Sequence, residues 1–525
     1  MNLITDRWIP VIRQNGVPDT IAPWQIVEAD NPVVEINAPR PDFQGALYQL
    51  LIGLLQTCFS PEDEEQWFDY WRKMPEPEEL EACFEKVAFA FELDAADGPA
   101  FLQDFDLPDG ETKVISALLI EAPGGKTIKD NLDHFIKRDR ATQLCSGCTV
   151  TALFTLQTNA PSGGVGHRVG LRGGGPLTTL IFPKAPSTTL WQKLWLNVLN
   201  QEELEPAEKI DSSILPWLGK TRVSDKGKIT SPSEVHPLHA YWGMPRRIRL
   251  TTKIEDANCD LCGNHAEFLY QTYRTKNYGT NYEGAWVHPL TPYRFDPKKV
   301  NPPLSLKGQQ GGLGYRHWLG LTLQDNDNGD KASKTIQFYN EERGRSLRDN
   351  GGASLWCFGY DMDNMKARCW YESRFPIYYL SEMQRNNLTD WAAEFVNAAK
   401  ETVKMLREEV KSAWFNRPKD AKGDMSQIDA QFWQATETDF YRLLEQLAML
   451  PEDTRVAPSN IYASWYETLR KQMFQIFEAA TLASTPEDLN LKRIVNAQKA
   501  LRIKFYGNKT LKALKAKAKP EEAAG

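Results

Sequence analysis

The chain of 525 residues lacks any uninterrupted apolar run of about 18 residues, the length that a membrane helix requires. Its longest candidate, Ala46 to Phe59, is broken by Gln49 and Gln56 and reads as a buried helix. The opening residues MNLITDRW have neither the basic start nor the apolar stretch of a secretory signal, which predicts a cytoplasmic protein. Histidine is scarce, with 7 residues, and no HExxH, no Ser-His-Asp spacing and no pair of acids on one helix face stands out, so hydrolytic chemistry has little to work with. There is no internal repeat, and the only low-complexity tract is the Lys/Ala-rich tail after Asn508. With 41% hydrophobic and 25% charged residues the composition is that of a folded globular chain, and 16 tryptophans supply large surfaces for stacking or packing.

Cysteine is also sparse, and its distribution is informative. Cys58, Cys83, Cys357 and Cys369 stand singly, with no disulfide framework spacing, as suits a reducing compartment. The other four form two Cys-x-x-Cys pairs, Cys145/Cys148 and Cys259/Cys262. Two thiolates on a tight knuckle can reach adjacent corners of a tetrahedron, and a second knuckle supplies the other two. Four protein ligands leave no open position for water, so the expected site is a structural zinc that pins two distant segments together. His265, three residues past Cys262, is an alternative ligand, and four unligated core cysteines are the plain alternative to a metal site.

Length predicts more than one domain, and two unequal parts fit best. Up to about residue 375, short β-branched and apolar runs punctuated by Gly and Pro (Leu3 to Ile12, Thr178 to Phe182, Arg247 to Thr252, Lys334 to Tyr339) alternate with helical stretches (Gln44 to Phe59, Glu64 to Arg72, Thr188 to Asn200). The pattern predicts a large irregular α+β domain over 1–376. Beyond Pro376 the spacing becomes helical, which predicts an all-α four-helix bundle over 377–525, with helices near Glu382 to Trp414, Ser426 to Leu450, Ser459 to Leu482 and a last one capped by Thr485 and stopped at Gly507. Net charge is −7, yet residues 491–519 carry ten Lys or Arg and no acid, leaving about −17 elsewhere. Such a basic segment is either a solvated helix face or a track for phosphates.

Four further segments invite chemistry. Residues 162–176, SGGVGHRVGLRGGGP, hold seven glycines beside His167, Arg168 and Arg172, so backbone can approach a ligand closely. The spacing is no dinucleotide fingerprint, since Val169 stands where the third glycine belongs. Ala122 to Thr127 imitates the end of a phosphate-binding loop, but its first glycine is replaced by Ile120. Asp361 to Lys366 reads as a projecting hairpin or loop: Asp361 and Asp363 could hold Mg²⁺ in a metal-dependent nuclease, whereas a Met and an Asn at an exposed tip suit wedging between base pairs. Between Tyr270 and Tyr282, tyrosines alternate with Arg274 and Lys276, a composition shared by nucleic-acid surfaces and by ordinary strands.

Taken in order, NLITDRWIPV, LCSGCTVTALF, GLRGGGPLTT, CDLCGN, GAWVHPLTPY and GYDMDNMKARCWY resemble the large subunit of the type I-E Cascade complex, the CasA family of CRISPR surveillance proteins. The resemblance covers most of the chain and is weakest over 60–120 and 185–245. It implies a DNA reader without catalytic residues that recognises the PAM in double-stranded target DNA through the minor groove, starts strand separation for R-loop formation, and supports recruitment of the CRISPR helicase-nuclease. It implies contacts from Gly163, Gly164 and Gly166, with Ser162 and Val165 at places where relatives can have glycine. Lys276 would probe the groove, with Arg274 as rival, and Asp363, Asn364, Met365 and Lys366 would form the wedge. His134 and Phe135, in the loop Asp133 to Thr142, would meet the guide RNA handle and neighbouring Cascade subunits. Lys499, Arg502 and Lys504 of the basic last helix suit contact with the DNA backbone. A zinc-stabilised scaffold that binds only protein is the remaining alternative.

Overall fold

The computed structural model describes residues 1–95, 98–122, 129, 140–347, 351–363, 366–420, 425–482 and 490–519. The chain forms two compact units. The first comprises Met1–Gly308, Ser333–Tyr339 and Asp349–Glu372, and the second Gln309–Ala332, Asn340–Arg348 and Ser373–Gly525. The helical unit therefore takes in segments ahead of residue 376 that the sequence pattern assigned to the first domain. The reason is packing within that unit: Tyr315 stacks on Phe440 at 4.3 Å between ring centroids, and its hydroxyl lies 2.8 Å from Thr436 Oγ1.

The first unit is a mixed α+β body with several small sheets. Ile9–Arg13 pairs antiparallel with Pro18–Ile21 and Val33–Ile36, with Ile9 opposite Ile21 and Val11 opposite Ile36. Its alternate residues Ile9 and Val11 turn inward, as the period of a strand requires. The helix Pro41–Cys58 is buried along nearly its whole length. The two glutamines that interrupt its apolar run, Gln49 and Gln56, are satisfied inside the protein. Gln49 Oε1 accepts from Arg172 Nη2 at 2.6 Å, while Gln56 exchanges hydrogen bonds with Leu199 N and O at 2.8 and 2.9 Å. These partners explain how two amides sit in a core helix without the cost of an unmet polar group.

Tryptophan serves the core. Trp67, Trp191 and Trp195 stack in series, with Trp191 and Trp195 centroids 4.7 Å apart, and Trp67 and Trp195 donate their indole N–H groups to each other's carbonyl. Trp217 and Trp242 meet edge to face beside Phe91. Each is buried to 2% exposure or less, so the generous aromatic supply makes packing rather than a base-stacking platform.

Two ribbons position the functional segments. The long hairpin Arg247–Asn258 and His265–Lys276 carries Glu111–Val114 and Leu144–Cys145 as further partners of its second strand. Thr178–Pro183 pairs with Ala353–Asp363, which in turn pairs with Lys366–Pro376. One expected strand is corrected: Lys334–Phe338 is helical. Its alternation of residue types looks β-like, but Ala332, Ser333, Thr335, Ile336, Tyr339 and Asn340 are the buried positions, a spacing of three and four. Thr188 to Asn200 contains a shorter helix than expected, Leu190–Trp195, closed by a capping box of Thr189 and Gln192.

In the second unit, Glu382–Trp414, Ser426–Ala448, Ser459–Leu482 and Leu491–Gly507 match the four expected helical stretches. Ser381 and Gln384 form the capping box of the first. The expected cap Thr485 lies outside the described residues, and Asn490 caps the fourth helix through Arg493 N at 3.0 Å. The Lys/Ala-rich tail is a further helix, Lys509–Lys517, begun by Asn508 and anchored by buried Leu511 and Leu514.

Candidate metal centre and nucleic-acid interface

The two cysteine knuckles are built by different local rules. Cys145 ends a short strand and caps the helix Ser146–Asn159, its Sγ accepting from Cys148 N at 3.5 Å. Cys259 and Cys262 occupy the turn of the long hairpin, closed by Gly263 N to Cys259 O at 2.9 Å with Gly263 at φ +74°. Strand pairing of Cys145 with Leu269 brings the knuckles together. Asp260 locks them: its Oδ2 accepts from Thr142 N, Thr142 Oγ1 and Gln143 N at 2.6, 2.8 and 3.0 Å. The sequence pattern did not single out Asp260; an acid inside a Cys-x-x-Cys knuckle was the available signal.

All four Sγ atoms lie within 4.8 Å of one another, and Cys145 and Cys262 Sγ are 3.8 Å apart. Tetrahedral thiolate bonds of about 2.3 Å to zinc give sulfur–sulfur edges of about 3.8 Å, so the quartet fits such an ion. The thiols are all free of disulfides. Hydrogen bonds from Cys145, then Cys148, draw Cys262 down to about 7, and Cys259 is lowered as well, while Cys145 and Cys148 are raised. His265 is not a member of the cluster: it is 62% exposed and its Nε2 lies 3.1 Å from Asp256 Oδ1.

The glycine-rich segment makes a slender projecting turn. Gly163 N donates to His167 O at 3.3 Å, closing a loop whose tip is Gly164, Val165 and Gly166. Gly166, at φ +78°, receives a hydrogen bond from Tyr278 N to its carbonyl at 2.8 Å, and a Cβ there would meet Tyr278 N and Asn277 Cβ at 2.9 Å. Only glycine fits that position. The contact joins the loop to the segment just after Lys276, the last residue of its strand. Gly175, at φ +59°, rests against Tyr360 and Met362 in the same way, at 2.9 Å from a built Cβ, and so ties the far end of the segment to the turn-proximal end of the strand Ala353–Asp363.

The basic residues of the segment are used internally. Arg172 is buried and donates to Gln49, Thr178 and Thr291, and burial lowers its pKa to about 10. Arg168 donates to Ser224 Oγ at 2.8 Å and Ser224 O at 3.1 Å. Burial, followed by the charges of Arg246 and Lys113, lowers His167 to about 4, which keeps it neutral at pH 7. Arg246, a residue the sequence pattern had not singled out, braces the loop by donating to Pro161 O, and its backbone N and O exchange hydrogen bonds with the side-chain amide of Gln157. The basic strand start Pro245 to Arg249 was its only sequence signal. The buried Nε–H groups of Arg246 and Arg274 have no acceptor among the described residues. Lys276 is exposed, with no ion pair among the described residues, whereas Arg274 is half-buried in the strand.

In the hairpin, Asp361 is buried and held by Arg368 through Nε at 3.0 Å and Nη2 at 2.7 Å, and Arg368 Nη1 reaches Asp363 at 3.2 Å. One guanidinium thus engages both carboxylates that a Mg²⁺ site would need. Lys366 is exposed beyond the turn. Asn364 and Met365 lie outside the described residues, as do His134, Phe135 and all but Ala122 of the phosphate-loop imitation. In the helical unit, Lys504 is committed to Glu408 at 2.9 Å and Glu409 at 2.7 Å. Lys499 and Arg502 are exposed with no such partner among the described residues.

The combination of an α+β unit and a largely helical unit is shared with solved structures of CRISPR-associated proteins. Thermus thermophilus CasA (Cse1) shares it at a TM-score of 0.67 and 19% identity, covering 96% of this chain and 99% of that one. Thermobifida fusca Cse1 does so at 0.68 and 16%, with 99% of both chains covered. A chain from a CRISPR RNA-guided surveillance complex matches at 0.66 and 14%, covering 96% and 99%. The family model for CRISPR-associated protein Cse1 (CRISPR_cse1) spans residues 2–476, and the chain belongs to this family of type I-E Cascade large subunits.

Proposed function

We propose that the chain is the non-catalytic large subunit of a CRISPR RNA-guided surveillance complex that recognises the PAM of duplex DNA through the minor groove. The observation that carries this is the joining of Gly166 to Tyr278, which ties a thin glycine tip to the strand end that carries exposed Lys276. The minor groove is narrow and mainly separates A·T from G·C, so a side-chain-poor loop and one long cation suit it. Gly163, Gly164 and Gly166 supply close backbone approach, and Lys276 is the groove-probing cation in preference to Arg274, which is half-buried in its strand. The hairpin turn between Asp363 and Lys366 then wedges the first base pairs apart. Guide pairing roughly replaces the duplex that it displaces, so protein contacts need to supply only the initial unstacking, a few kcal/mol per step.

Partners under this proposal are the target duplex, the guide RNA and other Cascade subunits, with His134 and Phe135 toward the RNA handle, and a helicase-nuclease recruited after opening. Among the described residues no helix is long and apolar enough to cross a membrane. Zinc held by Cys145, Cys148, Cys259 and Cys262 would pin the hairpin turn to the knuckle helix. Cys145→Ser is expected to abolish stoichiometric zinc by elemental analysis and to lower the melting temperature; wild-type protein without zinc contradicts that assignment.

The decisive test compares the assembled complex carrying Lys276→Ala on two targets. Binding to an intact duplex should fall at least about tenfold, while binding to the same target with its guide-complementary region already unpaired should change far less. Equal affinity of wild type and variant for the duplex contradicts the proposal.

A further inference from the structure

The tip of the glycine loop presents one side chain, and it is apolar. Val165 stands between Gly164 and Gly166, 73% exposed. Both neighbours have positive φ, and the loop is rooted on one side by Gly163 with His167 and on the other by Gly166 with Tyr278. An isopropyl group is thus held out in water at the end of a turn whose other tip residues have no side chain. Its burial contributes little to the fold, which leaves its chemistry available to a ligand.

The following step rests on the proposal that this loop enters the minor groove. On the floor of that groove A·T and T·A pairs show only the acceptors adenine N3 and thymine O2, whereas a G·C pair adds the guanine N2 amine as a donor. A branched aliphatic group pressed to the floor packs against the carbon edge of adenine. Over guanine it covers an N–H donor with carbon, and a buried donor left without an acceptor is unfavourable. A glycine at the same place, by contrast, would be indifferent. We infer that Val165 is a specificity-determining residue, biasing the base pair that it faces toward A·T or T·A and against G·C, without separating the first two. It reads composition at one position of the motif, while the glycines and Lys276 supply access and affinity.

The experiment measures binding of the assembled complex to a target library with a randomised motif, for wild type, Val165→Ile, Val165→Thr and Val165→Gly. Threonine keeps the shape of valine and adds an oxygen that can accept from guanine N2. Wild type and Val165→Ile are expected to disfavour G·C at one motif position by about tenfold. Val165→Thr and Val165→Gly are expected to lose that bias while keeping their affinity for A·T motifs within about threefold, since an exposed substitution leaves the fold intact. If wild type depends on the motif but shows no such position, or if Val165→Thr and Val165→Gly retain the bias, the role of Val165 is overturned. If wild type binds all motifs alike, groove reading itself fails, a result distinct from the previous one.

Discussion

The glycine segment around 160–176 and the basic segment 491–519 both stand out in the sequence, and the fold uses their special residues in opposite ways. In the first, the cations turn inward: Arg172 and Arg168 donate to protein oxygens, and what faces solvent is a nearly bare turn tipped by Val165. In the second, the backbone is plain helix and the cations divide. Arg493 caps the end of Glu382–Trp414 through Ala413 O and Trp414 O, Lys504 and Lys517 pair with glutamates, and Lys515 lies over the Tyr466 and Tyr506 rings. Lys492, Lys499, Arg502, Lys509, Lys512 and Lys519 remain exposed and unpaired among the described residues. A basic residue beside a glycine run is therefore no sign of ligand contact, and a run of ten cations overstates the charge that is free to bind.

The comparison can be broken at four places. Arg172→Ala should have the largest effect on stability, about 3 kcal/mol, because it leaves a cavity, removes the donor to buried Thr291 and takes one donor each from Gln49 and Thr178; urea denaturation reads this. A loss under about 0.5 kcal/mol would return Arg172 to the pool of ligand-binding cations. Gly166→Ala should be milder for the fold but severe for binding. It costs about 1–2 kcal/mol of backbone strain and displaces the tip from Tyr278, so duplex affinity of the complex should drop at least tenfold with little change in the melting temperature. Unchanged affinity would detach the loop from DNA. Neutralising Lys499 and Arg502 together should lower the slope of log affinity against log salt by about 2. Lys504→Ala should leave that slope unaltered and cost less than about 1 kcal/mol of stability, since its pairs are partly exposed. A smaller slope for Lys504→Ala as well would mean that its glutamate pairs open on binding.

What the sequence revealed and what it hid follow the range of the interactions. The cysteine quartet was legible because ligand spacing is local and chemically specific: two Cys-x-x-Cys pairs need only meet. The long helices were legible because caps such as Ser381 with Gln384 act within four residues. Lys334–Phe338 misled because a short run with alternating residue types does not reveal which faces a core built elsewhere will bury. The last helix was missed because its anchoring rests on two leucines in a Lys/Ala background. The union of Gly166 with Tyr278, the brace from Arg246 and the pairing of Lys504 with Glu408 span 85 residues or more in sequence, as for Arg246 with Pro161 and Lys504 with Glu408. Spacing cannot show such contacts, and they decide which candidate residues are free to act.

Recognition from the minor groove is tested most directly by editing single atoms of the motif in a target bound by the assembled complex. Replacing guanine with inosine removes the N2 amine from the minor groove, whereas 7-deazaguanine removes the N7 acceptor from the major groove. The account predicts that inosine alters affinity at one motif position or more and that 7-deazaguanine is silent throughout. Sensitivity to 7-deazaguanine with indifference to inosine would contradict it.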